Sequence, residues 1–190
     1  MKKRAVLITT ILTVAVCTAC GNKAPKEWYK DTIAYYQDGI SKGWDKVEPE
    51  DYKLTGAVKV EAYVVGADGK KSTSGVTVTD GTNSGDKLGY LLKDLDGDGV
   101  DELLIGLIND APQTQFSDVI VWNSDLGATH VMGGSNDHYI YLYNDGTLIS
   151  ASFFGGTMDA MKYSSEDNAF VDAGTGSLNS AGKFELTPFQ

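Results

Sequence analysis

Along the chain the spacing of apolar residues changes character several times. An uninterrupted apolar run from Ala5 to Val16 follows Met1-Lys2-Lys3-Arg4. Between 26 and 44, Tyr29, Ile33, Tyr36, Ile40 and Trp44 recur at steps of three or four, with Lys30, Asp31, Gln37, Asp38 and Lys42 between them. One apolar stripe on a 3.6-residue period predicts an amphipathic helix whose aromatic face packs on a core. After a polar link at 45–51 the period falls to two. Val58, Val60, Ala62 and Val64 alternate with Lys59, Glu61 and Tyr63, the pattern of a half-buried strand. Gly66-Ala67-Asp68-Gly69 then predicts a hairpin turn, with a partner strand at 76–79 and a Gly/Asn/Ser/Asp-rich loop at 80–86.

Further strands are predicted at 88–92, 103–108, 119–122, 130–132, 139–143 and 148–154, with shorter ones at 161–163, 169–172 and 183–186. Asn144-Asp145-Gly146-Thr147 is a strong hairpin signal between 139–143 and 148–154, because Asp-Gly supplies the left-handed backbone such turns need. Short strands punctuated by turns, preceded by one helix, predict an α+β fold: mainly antiparallel β with an N-terminal amphipathic helix. No internal repeat and no composition break divides residues 27–190, so a single domain is expected. Twenty-two Gly, ten Tyr and only four Pro suit a turn-rich β protein.

The start of the chain has a different logic. A basic tip, about a dozen apolar residues and the small Thr18-Ala19 before Cys20 make a secretory signal peptide over 1–19. The apolar run is shorter than the roughly 20 residues a membrane span needs. Cys17-Thr18-Ala19-Cys20 resembles the bacterial lipobox, with Cys17 where an aliphatic residue is usual. The resemblance implies a lipid on Cys20, residues 20–26 as a polar tether, and anchorage to the outer face of a bacterial cell membrane. The chain's other cysteine would leave with the signal peptide, so the domain would have no disulfide and would depend on its core, a metal, or both.

Charge narrows the partners. The net charge is −10, and loss of Lys2, Lys3 and Arg4 with the signal peptide would take it to −13. Such a surface repels nucleic acid phosphates and anionic headgroups and gathers cations.

The densest chemistry is Asp94-Leu95-Asp96-Gly97-Asp98-Gly99-Val100-Asp101-Glu102. Carboxylates at positions 1, 3 and 5 of a glycine-bearing loop converge on one point, and hard oxygen donors in that number suit calcium. Asp94, Asp96 and Asp98 are expected as ligands, with the Val100 carbonyl at position 7 and Glu102 at position 9. An EF-hand is excluded, because position 12 is Ile105 and both flanks read as strands. With Leu103-Leu104-Ile105-Gly106 following, the segment from Asp94 to Gly106 resembles the FG-GAP type of calcium loop, Glu102 standing where that family usually has Asp. That loop recurs around a β-propeller; here it occurs once, so a complete propeller is not expected. Lipobox, helix and single loop together resemble small lipoproteins of Gram-positive gut bacteria.

No catalytic constellation stands beside it. His130 and His138 lie in no zinc motif, and no Gly-x-Ser-x-Gly elbow occurs. Gly133-Gly134 and Phe153-Phe154-Gly155-Gly156 have no phosphate-loop lysine. Tyr139, Tyr141 and Tyr143 alternate on one strand face, as a sugar platform or, more simply, a β core would require. The expected role is a calcium-stabilised surface module that binds a glycan or a protein. A calcium-dependent extracytoplasmic hydrolase acting on a glycan or cell-wall polymer is the alternative.

Overall fold

In the computed structural model, residues 26–56, 62–65, 71–74, 87–134, 138–152 and 158–189 are described. The signal segment, Cys20, most of the tether, the turn at 66–69, the strand expected at 76–79, the loop at 80–86 and Phe153-Phe154-Gly155-Gly156 lie outside them.

The helical stretch opens as a 3₁₀ turn, Lys26–Tyr29, and continues as α1, Lys30–Lys42. Tyr29, Ile33 and Tyr36 are buried as the stripe predicts, and Tyr35 joins them. Ile40 departs from the expectation at 41% exposed. The core-facing position of the last turn is Gly39, where an added Cβ would collide with the Trp44 ring. Ile40, about 100° further round, therefore faces out. Gly43, at φ +94°, ends the helix and returns its N–H to the Gly39 carbonyl. The link that follows is not plain coil, since 3₁₀ turns occupy Trp44–Lys46 and Pro49–Tyr52.

Two short strands, β1 (Ala62–Val65) and β2 (Lys71–Ser74), form an antiparallel ribbon. The partner of the first strand is thus the polar Lys71–Ser74, nearer in sequence than expected. The main sheet contains β3 (Lys87–Lys93), β4 (Glu102–Ile108), β5 (Phe116–Asn123), β6 (Gly127–Gly133), β7 (His138–Leu142), β8 (Leu148–Ser152), β9 (Met158–Ser164), β10 (Ala169–Thr175) and β11 (Thr187–Pro188). Its order is β10-β9-β8-β7-β5-β4-β3-β11, with β6 also paired to β5. Every ladder in it is antiparallel and the sheet does not close, so the fold is α+β and not a complete propeller. Residues 183–186, expected as a strand, are irregular; the edge strand comes just after them. Phe184 gives its N–H to the Thr114 hydroxyl instead of to a ladder.

β4 explains why one apolar run anchors the whole fold. Leu103, Ile105 and Leu107 face a cluster containing Tyr29, Ile33 and Tyr36 from the helix. Leu104, on the opposite face, meets Phe116, Val119, Ile140 and Leu148. A strand buried on both faces loses the usual polar alternation. Each fully buried aliphatic side chain contributes about 1.5–3 kcal/mol. The second cluster also takes in Tyr163 of β9, four places along the sheet from β4. The sheet therefore curls, and the β9–β10 turn comes back over the β3–β4 loop. Among the described residues no helix is long and apolar enough to cross a membrane.

Candidate metal centre

The β3–β4 hairpin pairs Lys93 with Glu102, leaving residues 94–101 as its loop. Both Asp94 carboxylate oxygens accept backbone N–H groups, Oδ1 from Gly97 at 2.7 Å and Oδ2 from Gly99 at 2.9 Å. Gly97 and Gly99 sit at φ +83° and +89°, the left-handed region where a side chain is strained. Asp96 Oδ1 accepts the Asp98 N–H at 3.2 Å, and Asp98 Oδ1 accepts the Val100 N–H at 2.7 Å. The acidic residues thus curl their own loop, each carboxylate closing a turn one step further along.

Glu102 opens β4 and is 2% exposed. Its Oε2 accepts the Leu95 N–H at 2.8 Å. Asp94, Asp96 and Glu102 each bring a carboxylate oxygen to one point, all within 4.8 Å of one another. Three hard oxygen donors so placed can hold a metal ion. Among the described residues no lysine or arginine forms an ion pair with any of the three.

The electrostatics report the same strain. Burial pushes the Glu102 carboxyl up to about 8, and the charges of Asp96, Asp98 and Asp94 push the same way. Burial also acts to raise Asp96, but hydrogen bonds from Ser165 and the loop backbone outweigh it and hold that carboxyl below its ordinary value. Tyr163, buried beside the group, is pushed up to about 12, by burial first and then by Glu102, Asp96 and Asp98.

Asp98 is not one of the converging carboxylates. With Val100 and Glu102 it lines a cleft of about 340 Å³. Trp28, from the first 3₁₀ turn, and Trp122, near the end of β5, line the same cleft. Their rings stack at 5.1 Å between centroids, tilted by 31°. Buried Tyr29 meets Trp122 edge-on at 6.3 Å and donates its hydroxyl to the Asp101 carbonyl, tying the aromatic group to the loop. Trp28, Trp122, Tyr163 and Ser165 escape a reading of the sequence. Ser165, whose N–H reaches Asp96 Oδ2 at 2.7 Å, is 69 residues away, and only the curl of the sheet brings it there.

The histidines divide. His130 Nε2 lies 2.8 Å from Asp118 Oδ1 in a nearly buried pair, and Ser117 Oγ donates to Asp118 Oδ2 at 2.8 Å. The hydroxyl rests on the carboxylate and not on the imidazole, so the string has the wrong order for a nucleophile and its base. His138 begins β7. In the tyrosine strand, Tyr141 is buried and Tyr143 is tied by hydroxyl hydrogen bonds to Ser177, which favours the core reading over a sugar platform.

No family model, curated protein or solved structure matches this chain.

Proposed function

We propose that this chain is a cell-surface lipoprotein, anchored through Cys20, whose β-rich domain is held in shape by calcium and acts as a binding or interaction module. The observation that carries the reading is the convergence of Asp94, Asp96 and Glu102 with Glu102 buried. A buried carboxylate among like charges is costly unless a cation joins it. Calcium suits the donors, which are all oxygen. Ligands on opposite sides of a calcium ion lie about 4.6–5.2 Å apart at its bond lengths of about 2.3–2.6 Å, so the trio can close on the ion with little movement. Asp98 and the Val100 carbonyl remain candidates for the rest of the shell. The Asp-x-Asp-Gly-Asp-Gly spacing and its resemblance to FG-GAP loops support the same ion. Affinity on the order of 10⁻⁴–10⁻³ M would be enough in an extracellular setting.

The hydrolase alternative needs a pair of carboxylates free to act on a substrate. Asp98 and Glu102 are the carboxylates that line the cleft, and Glu102 belongs to the cation group. A binding module is therefore the stronger reading.

The test is a thermal melt of the full chain in mild detergent, first with EGTA and then with millimolar calcium. At about 10 mM calcium and a Kd on the order of 10⁻⁴–10⁻³ M, binding adds about 1.4–2.7 kcal/mol. For a domain of this size that is a rise of about 3–10 °C. Asp96→Ala should abolish the rise; equal shifts in variant and parent, or none in either, would refute a calcium site. For the anchor, Cys20→Ser should lose metabolic labelling with a fatty acid, and normal labelling of that variant would refute the lipobox.

A further inference from the structure

The cleft beside the metal loop has a composition that the loop does not require. One wall is a pair of half-buried tryptophans, Trp28 and Trp122, held in place by each other and by buried Tyr29. Around them are uncharged polar groups. Asn123 Oδ1 accepts the N–H groups of Asp125 and Leu126, and Asn168 Oδ1 accepts the Tyr163 hydroxyl. Among the described residues the amide nitrogens of both asparagines have no acceptor, and the Ser124 hydroxyl has no partner. An acceptor lines the same cleft, the carboxylate of Asp98.

The volume, about 340 Å³, falls at the lower end of the range for small-ligand sites, about 300–1,000 Å³. A ligand suited to it offers a flat apolar face to the indoles and several groups that both donate and accept at its rim. Pyranose rings have that combination: axial C–H groups on one face, and hydroxyls that give and take hydrogen bonds around the edge. Once a cation occupies the loop, the charge of Asp94, Asp96 and Glu102 is reduced, which leaves Asp98 as the carboxylate of the cleft free to accept from a ligand. The surrounding surface is acidic, which disfavours uronic acids and other anionic sugars.

We propose that the cleft between Trp28, Trp122 and the metal loop binds one or two pyranose units of a neutral glycan. The proposal deepens the reading above and rests on it in one respect, that the loop is filled when the sugar binds. Tyr29 links the two sites directly, because its ring braces Trp122 and its hydroxyl holds the Asp101 carbonyl. Ordering the loop therefore steadies the platform, and binding should tighten in calcium.

The experiment is a titration of the full chain, in mild detergent, followed by tryptophan fluorescence. The probes are soluble β-glucan, mannan and galactan oligosaccharides, with polygalacturonate and oligolysine as anionic and cationic comparisons, each in calcium and in EGTA. At least one neutral oligosaccharide should change the emission saturably and bind more tightly in calcium. Trp28→Ala should weaken binding by about tenfold or more. Ser124→Ala, which removes a hydroxyl without a partner among the described residues, should weaken it to a smaller degree while leaving the melt unchanged, which separates lost contacts from lost folding. A calcium-dependent rise in melting temperature with no response to any neutral sugar would overturn the glycan site and leave the calcium reading standing. Tighter binding of oligolysine than of any sugar would overturn it in favour of a cationic peptide. Sugar binding that is equal in EGTA and calcium, with no shift in the melt, would refute the calcium reading and keep the cleft as a glycan site.

Discussion

Two buried carboxylates in this protein, Asp118 and Glu102, are 6% and 2% exposed, yet the fold treats them in opposite ways. Asp118 is provided for from within, with His130 on one oxygen and Ser117 on the other. Glu102 has one backbone N–H, from Leu95, and three aspartates close enough to push its carboxyl up. Burial of charge is tolerated when donors or counter-charges meet it. The first site is complete within the chain. The second has room for a cation, and that difference, more than the count of acidic residues, makes the β3–β4 loop the candidate place for a ligand.

The contrast is most exposed to pH. Glu102 has its carboxyl raised in the fold from 4.5 to about 8. A proton is therefore held more tightly in the folded state, so this group's contribution to stability is full below about pH 4.5 and drains away as pH rises toward 8. In EGTA the loss from this group between pH 4.5 and 7 should be about 3 kcal/mol. Glu102→Gln should flatten that slope in EGTA, and in the same variant calcium should no longer raise the melt. An unchanged slope in the variant would assign the pH dependence to other groups and remove the contrast.

His130→Ala tests the other half. It leaves Asp118 with Ser117 alone, at a cost of about 1–3 kcal/mol. Denaturant melts should show the same loss in EGTA and in calcium, because nothing in this pair awaits a cation. A loss that calcium repaired would couple the two sites and blur the distinction. The smallest expected effect separates two neighbours in the loop. Asp96 joins the converging trio and Asp98 does not, so Asp98→Ala should weaken calcium binding by about tenfold, whereas Asp96→Ala should abolish it. Calorimetric titration would measure both; equal losses would place Asp98 in the metal's inner shell beside Asp96.

Much of this was readable along the chain because it is local. The short apolar runs of β7 and β8, the Asn-Asp-Gly turn between them and the doubly buried run of β4 announce themselves within a few residues. The loop is equally legible, since glycines at left-handed positions and aspartates two apart are what its backbone demands. Other features depend on distant partners. Nothing around Lys71–Ser74 marks it as the mate of Ala62–Val65, because its pairing rests on backbone hydrogen bonds and not on an apolar pattern. Ile40 fits the helical stripe by arithmetic, yet the return of Trp44 onto Gly39 decides where the core lies. The cleft is the extreme case: Trp28, Trp122 and Asn168 share it only because the sheet curls.

That curl also bears on kinetics. The hydrogen bond from Ser165 to Asp96 closes a circuit of 69 residues, and such non-local contacts slow folding because loop closure costs entropy before the contact rewards it. If that contact closes after the folding barrier, a cation seated in the loop would slow the protein's opening far more than it hastens its assembly. With calcium gone, the β9–β10 turn would be the first part of the sheet to exchange its amide protons, and the rest of the domain would follow only on global unfolding. The ion would serve this protein as a late-closing latch on a sheet already built.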